Sequence, residues 1–238
     1  MTELCHSPAA GNWPSWVGPD LVAGRTLSFT ELKTAGDWIF WLETRPEEQG
    51  RSVIVGRRPD GTLVDLTPSE RSVGTRVHEY GGGAWDVRLN DGKPEVVFSD
   101  RKTGGLWVSN GAGCLPVLDG QCVPERRYAD LTWDPGENGV FCVRETHGTG
   151  IPVAALVYID LTGTERVLAE GADFYAAPRP SPDGAFLAWF SWQNPEMPWT
   201  VTTLNVASLD RSSVTLGPST DLSGDEKCSI IEPRWAED

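Results

Sequence analysis

Five side chains in this sequence combine types and spacing suited to chemistry. His78 and Glu79 stand before Tyr80 and the triple glycine Gly81-Gly82-Gly83, and Arg144, Glu145 and His147 follow further along the chain. On one reading the triple glycine lets the backbone approach a ligand, and Glu79 meets the positive N-terminus of a bound peptide. Arg144, Glu145 and His147 would then line a central channel. On the plainer reading the glycines supply positive φ for a sharp entry into a strand, and His78 and Glu79 are hydrogen-bonded at a junction between structural units. Arg144 and Glu145 would form an ion pair between units, with His147 in a polar loop. We favour the plainer reading at both places and keep His78, Glu79, Arg144 and Glu145 as candidate ligand-lining residues. A glycine run without a strand before it and a helix after it is not a phosphate loop. The acidic pair Asp225-Glu226 has no third ligand at metal spacing. No metal site and no cofactor are therefore expected.

The elements that must position these residues show a period. Tyr80-Gly-Gly-Gly-Ala-Trp85, Tyr128-Ala-Asp-Leu-Thr-Trp133 and Tyr175-Ala-Ala-Pro-Arg-Pro180 each open a block of short apolar segments separated by turns, and Ile231-Glu-Pro-Arg-Trp235 opens another. A period of this length with four strands per unit is the signature of a β-propeller. The predicted fold is all-β, with blades over about 27–68, 80–119, 128–170 and 175–217, the start of a further blade at 229, and an irregular N-terminal arm over 1–26. Asp37–Thr44 is apolar on both faces, as an inner strand must be where blades stack. Arg58-Pro-Asp-Gly61 reads as a tight hairpin turn. Asn194-Pro-Glu-Met-Pro-Trp199 must be a hairpin loop, because proline cannot donate within an inner ladder. Its Trp199 is expected to cap the blade surface, the alternative being contact with a partner domain. No segment sustains a 3.6-residue apolar period, so helix content is expected to be low. A closed ring of four blades would leave 229–238 surplus; an open arc is the favoured arrangement.

Composition narrows the partners. The formal charge is −14, from 34 acidic and 20 basic residues, and such a field repels nucleic acid and anionic membrane surfaces. Five cysteines (Cys5, Cys114, Cys122, Cys142, Cys228) are odd in number and contain no C-x-x-C pair. Free thiols in a reducing compartment are the reading this supports. There is no N-x-S/T sequon, no basic segment followed by an apolar core at the N-terminus, and no apolar run near the roughly 20 residues that span a bilayer. A cytoplasmic location is expected.

Arg76-Val-His-Glu-Tyr-Gly-Gly-Gly-Ala84, Phe174-Tyr-Ala-Ala-Pro-Arg-Pro-Ser-Pro-Asp-Gly184 and Asn194-Pro-Glu-Met-Pro-Trp199 resemble the propeller of the prolyl oligopeptidase family, in particular its acylaminoacyl-peptidase and dipeptidyl-aminopeptidase-like members. Trp41-Leu-Glu-Thr-Arg-Pro46 and Val143-Arg-Glu-Thr-His147 are similar to further family segments, in family order. The resemblance covers roughly 27–238. It implies a seven-bladed propeller that gates substrate, followed by an α/β-hydrolase domain whose nucleophilic serine sits in a G-x-S-x-G elbow. This sequence has no G-x-S-x-G, and its three histidines, His6, His78 and His147, fall in the arm or the propeller. No catalytic residue is carried over. The expected function is the substrate-gating portion of a serine peptidase acting on peptides, with the catalytic domain outside this sequence and about four of seven blades within it. The competing function is a stand-alone propeller that binds a protein or peptide. An open arc also predicts self-association through its exposed blade edges.

Overall fold

In the computed structural model, residues 16–18, 26–136, 138–224 and 227–236 are described. Most of the predicted arm, with Cys5 and His6, and the pair Asp225-Glu226 lie outside them. Among the described residues, seventeen strands and two short 3₁₀ turns, Pro46–Glu48 and Gly120–Cys122, make up the regular structure. The strands form four antiparallel sheets, each wound in chain order. Blade one is β1 (Ser28–Ala35), β2 (Trp38–Arg45), β3 (Arg51–Arg57) and β4 (Leu63–Asp65), and blade two is β5 (Trp85–Asn90), β6 (Lys93–Ser99), β7 (Leu106–Ser109) and β8 (Cys114–Leu118). Blade three is β9 (Arg126–Trp133), β10 (Gly139–Thr146), β11 (Val153–Asp160) and β12 (Glu165–Glu170). Blade four is β13 (Phe174–Pro180), β14 (Phe186–Trp192), β15 (Thr203–Asp210) and β16 (Thr215–Leu216), with β17 (Thr220–Asp221) pairing on β15. The architecture is a β-propeller of four consecutive blades.

Strand periodicity explains how the blades hold together. Successive side chains of a strand point to opposite faces, so a strand sandwiched between two interfaces must be apolar at every position. In β10, Val140 and Cys142 enter the core shared with blade two, while Phe141 and Val143 enter the core shared with blade four. β11 divides in the same way, Ala155, Val157 and Ile159 to one side and Ala154, Leu156 and Tyr158 to the other. Phe40, Leu42 and Ile54 of blade one meet Trp85, Val96 and Phe98 of blade two in a third core. Among the described residues, no core cluster joins blade four to blade one. The sheets trace an open arc.

The first strands of successive blades contact one another and repeat a device that period alone did not reveal. Glu31, Asp130 and Ala177 each sit at positive φ (53°, 52° and 49°) beside a register shift in β1, β9 and β13. Gly83, just before β5, has φ 56°, and Glu232 has φ 52°. A left-handed residue without the freedom of glycine costs about 1–2 kcal/mol, and here the bulges aim groups across the blade junctions. The Leu131 N–H donates to Gly83 O at 3.0 Å, and the Ala177 N–H donates to Asp130 Oδ2 at 2.9 Å. Asp86 Oδ2 likewise accepts from the Trp133 N–H at 2.8 Å.

Leu187 and Trp189 pack against blade three, but Phe190 and Trp192 are also buried, in a satellite cluster with Ala176 and Ala177. Residues 228–235 run alongside: Thr202 N–H donates to Cys228 O at 3.0 Å, and Trp235 Nε1–H donates to Arg179 O at 2.8 Å. Of the β14 aromatics Phe186, Trp189, Phe190 and Trp192, Phe186 alone is substantially exposed.

Candidate functional site

The segment between β4 and β5 carries His78 and Glu79, and both adopt positive φ (55° and 65°) ahead of glycines 81–83, which do the same. Two consecutive non-glycine residues in this region persist only where the surroundings hold them. The holding group is Glu145, buried at the end of β10: its Oε1 accepts the His78 backbone N–H at 2.8 Å. The same oxygen lies 3.3 Å from His78 Nδ1. Its Oε2 lies 2.9 Å from His147 Nε2. One carboxylate therefore sits between two imidazoles from different blades. His147 is fixed in turn by donation of its backbone N–H to Glu125 O at 2.7 Å.

Glu79 projects outward and pairs with Arg127 at 2.7 Å. The hydrogen bond from Arg127 holds the Glu79 carboxyl below the usual carboxylate range. Both residues are thus bonded at the junction of blades two and three. Arg144 is placed elsewhere. It neighbours Glu145 in β10, so its side chain takes the opposite face of the sheet, where its guanidinium pairs with Glu165. That pair lies within blade three, not between blades. Glu165 also receives Tyr128 Oη–H at 2.9 Å and Arg126 Nη1–H at 3.2 Å. Arg144, Glu145 and His147 lie on or just past the second strand of their blade, whereas it is the first strands of successive blades that contact one another.

His78, Glu79, Glu145 and His147 face a cleft of about 470 Å³. Its opposite wall comes from blade four and was not anticipated. Phe174 and Trp192 are cross-strand partners in β13 and β14, and their rings stack with centroids 5.0 Å apart. The His78 ring lies 5.3 Å from Trp192 and 5.6 Å from Phe174. Tyr80, Ile151 and Met197 extend the apolar lining, and Asp173 adds a third carboxylate. The β14–β15 connection contains Asn194–Trp199, the expected hairpin loop, and brings Asn194, Met197 and Pro198 to the rim. Trp199 does not cap the blade: it is 67% exposed.

The cleft joins an aromatic wall to an acidic floor, so it suits an apolar side chain beside an ammonium group. Among the described residues, no serine, threonine or cysteine lines it. Among the described residues no group of three or more His, Cys, Asp or Glu side chains is placed to hold a metal ion, and no helix is long and apolar enough to cross a membrane. Cys114, Cys122, Cys142 and Cys228 are free thiols, and burial pushes the Cys142 thiol well up.

Solved structures share this fold. A puromycin-hydrolyzing peptidase of Mycobacterium tuberculosis superposes with a TM-score of 0.84 and 34% identity, over 94% of this chain and 36% of that one. This chain is a propeller segment of the prolyl oligopeptidase family. A puromycin hydrolase matches with a TM-score of 0.77 and 27% identity, over 88% of this chain and 34% of that one. A prolyl endopeptidase, at 18% identity and a TM-score of 0.53, shares the fold. The family propeller described here spans about a third of the length of these peptidase chains. No protein-family model and no curated protein matches the sequence.

Proposed function

We propose that this chain is the substrate-facing part of a serine peptidase propeller, gating peptides toward catalytic groups supplied from outside this sequence. The observation that carries the reading is the cleft at the junction of blades two, three and four, where Glu79 and Glu145 face the stacked pair Phe174 and Trp192. A peptide with a free amino end and a large apolar first residue matches both surfaces, its ammonium against carboxylate and its side chain against the rings. The cleft is too small for a folded protein, so the propeller filters by size as well as by chemistry. The reading includes a cytoplasmic setting, in keeping with the unpaired thiols.

Titration of the 238-residue chain with short peptides carrying an aromatic first residue, followed by tryptophan fluorescence, tests this. Binding should weaken roughly tenfold when the peptide amine is acetylated, the scale of a lost charge-assisted contact. Glu79→Gln, on a well-exposed side chain, should do the same without loss of fold, and Phe174→Leu should weaken aromatic peptides more than aliphatic ones. Equal affinity for free and acetylated peptides in all three proteins, or no binding at all, would overturn the reading.

A further inference from the structure

A second cleft, of about 280 Å³, adjoins the first through His147 and has the opposite electrostatic character. Arg76, Arg101, Lys102, Arg126 and Arg127 line it, in a chain whose formal charge is −14. Two of these cations are committed to carboxylates, Arg126 to Glu165 and Arg127 to Glu79. Arg76, Arg101 and Lys102 take part in no ion pair among the described residues. The one acid lining the cleft, Asp100, is fully buried and its oxygens are already engaged. Its Oδ1 accepts the Ser72 N–H at 3.1 Å, and its Oδ2 accepts Thr103 Oγ1–H at 2.9 Å and Arg71 Nη1–H at 3.2 Å. Asp100 therefore shapes the loop without neutralising its neighbours.

That loop is held firmly. Arg101 N–H donates to Ser72 O at 2.7 Å, Asp100 N–H to Gly105 O at 2.9 Å, and Gly104 N–H to Asp100 O at 2.8 Å. Gly74 leaves the space that the Arg101 guanidinium occupies: a Cβ there would lie 2.5 Å from Arg101 Nε. The cations are thus set around a concave, preorganised opening, and the mutual repulsion of the three that have no ion-pair partner among the described residues, Arg76, Arg101 and Lys102, is a cost that a bound anion relieves. We infer that this cleft is an oxyanion-binding site, taking a carboxylate or a phosphate against Arg101, Lys102 and Arg76.

Two sources share this chemistry, a peptide carboxylate reaching across from the first cleft and free phosphate, and the test separates them. The isotopically labelled chain is titrated at low salt with inorganic phosphate, and separately with matched acetyl-peptides ending in a carboxylate or an amide, while the amide signals of Arg101, Lys102 and Gly104 are followed. Saturable shifts with phosphate alone assign the site to the free anion. Shifts with the carboxylate peptide and not its amide assign it to a peptide end. Either supports the site, provided Arg101→Gln weakens the response by about tenfold, Arg101→Lys retains most of it, and Arg166→Gln, on an exposed arginine elsewhere in blade three, leaves it unchanged. Both arginine positions are exposed, so thermal melting should show each variant folded. The absence of any saturable shift, or equal affinity in Arg101→Gln and the parent chain, would overturn the inference. The phosphate arm needs no peptide, so it stands or falls apart from the peptide reading of the first cleft.

Discussion

Glu145 accepts the backbone N–H of His78 at 2.8 Å across the junction between blades two and three. The bond joins residues far apart in sequence and pins the first of two left-handed residues in place. It makes a structural anchor of the same carboxylate that faces the cleft. Truncation to Glu145→Ala should therefore cost about 1–3 kcal/mol, the scale of a buried donor left without its acceptor. Glu145→Gln keeps an oxygen for that N–H and should recover much of the loss. Urea unfolding of the three proteins at equal concentration distinguishes them, and equal stability of all three would show that the bond is not an anchor.

Gly83 is the tightest point of the same junction. At φ 56° it approaches Asp130 so closely that a Cβ would lie 2.1 Å from Asp130 Oδ1 and 2.7 Å from Asp130 Cα. Gly83→Ala must pay for the left-handed backbone and displace the strand that supplies the Asp130 bond to Ala177. The expected loss is about 2–4 kcal/mol. Gly92→Ala, at φ 72° with open space around it, pays only the backbone part and should lose about 1 kcal/mol. Similar losses at both positions would refute the close-approach argument.

The difference between these glycines also shows what a sequence can convey. Turn glycines and alternating apolar runs are local, so the blades and most strand positions were legible from period and pattern. Strands sandwiched on both faces, such as β10, announced themselves by having no polar alternation. The bulges at Glu31, Asp130 and Ala177 were not legible, because none is a glycine, and Asp130 and Ala177 are bonded to each other across a blade junction. Of the cleft, His78, Glu79 and Glu145 were named from their chemical types in two separate motifs, with nothing in the sequence to pair them. Phe174 and Trp192 were missed, since each reads as an ordinary strand aromatic until β13 and β14 pair and stack the rings. The separation of Arg144 from Glu145 was within reach of strand alternation alone.

Asp65 offers a pH-dependent test on blade one. Its carboxylate meets Arg45 in a two-pronged pair, Nη1 to Oδ2 at 2.6 Å and Nη2 to Oδ1 at 2.8 Å. The hydrogen bond from Arg45 holds the carboxyl below its usual value. A group depressed in the folded state stabilises the fold above its unfolded pKa of about 3.9, and that stability is lost as pH falls through the folded value. The side chain is half-exposed, so solvent screening limits the effect to about 0.5–1 kcal/mol. Asp65→Asn should lower stability by that amount at neutral pH, and the difference from the parent should vanish as pH is lowered below the carboxylate range. A difference that persists or grows in acid would assign the effect to something other than the ion pair.

Blade one exposes several large apolar side chains. Phe29, Leu32 and Leu63 are 61%, 72% and 58% exposed, whereas on blade four Phe190 and Trp192 are covered. At about 25 cal/mol per Å², leaving 200 Å² of apolar surface in water forgoes about 5 kcal/mol, a quantity comparable to the net stability of a domain, about 5–15 kcal/mol. Contact between two copies through blade one would recover part of it, so association of the 238-residue chain should rise with concentration and involve that blade rather than blade four. Sedimentation over about a hundredfold range of concentration reads the association, since a dimer grows with concentration by mass action. The variant Phe29→Ser/Leu32→Ser/Leu63→Ser should remain monomeric with its melting temperature little changed, because none of the three side chains belongs to a core cluster. A parent chain that stays monomeric throughout the range would mean that the exposed residues of blade one are too dispersed to act as one surface.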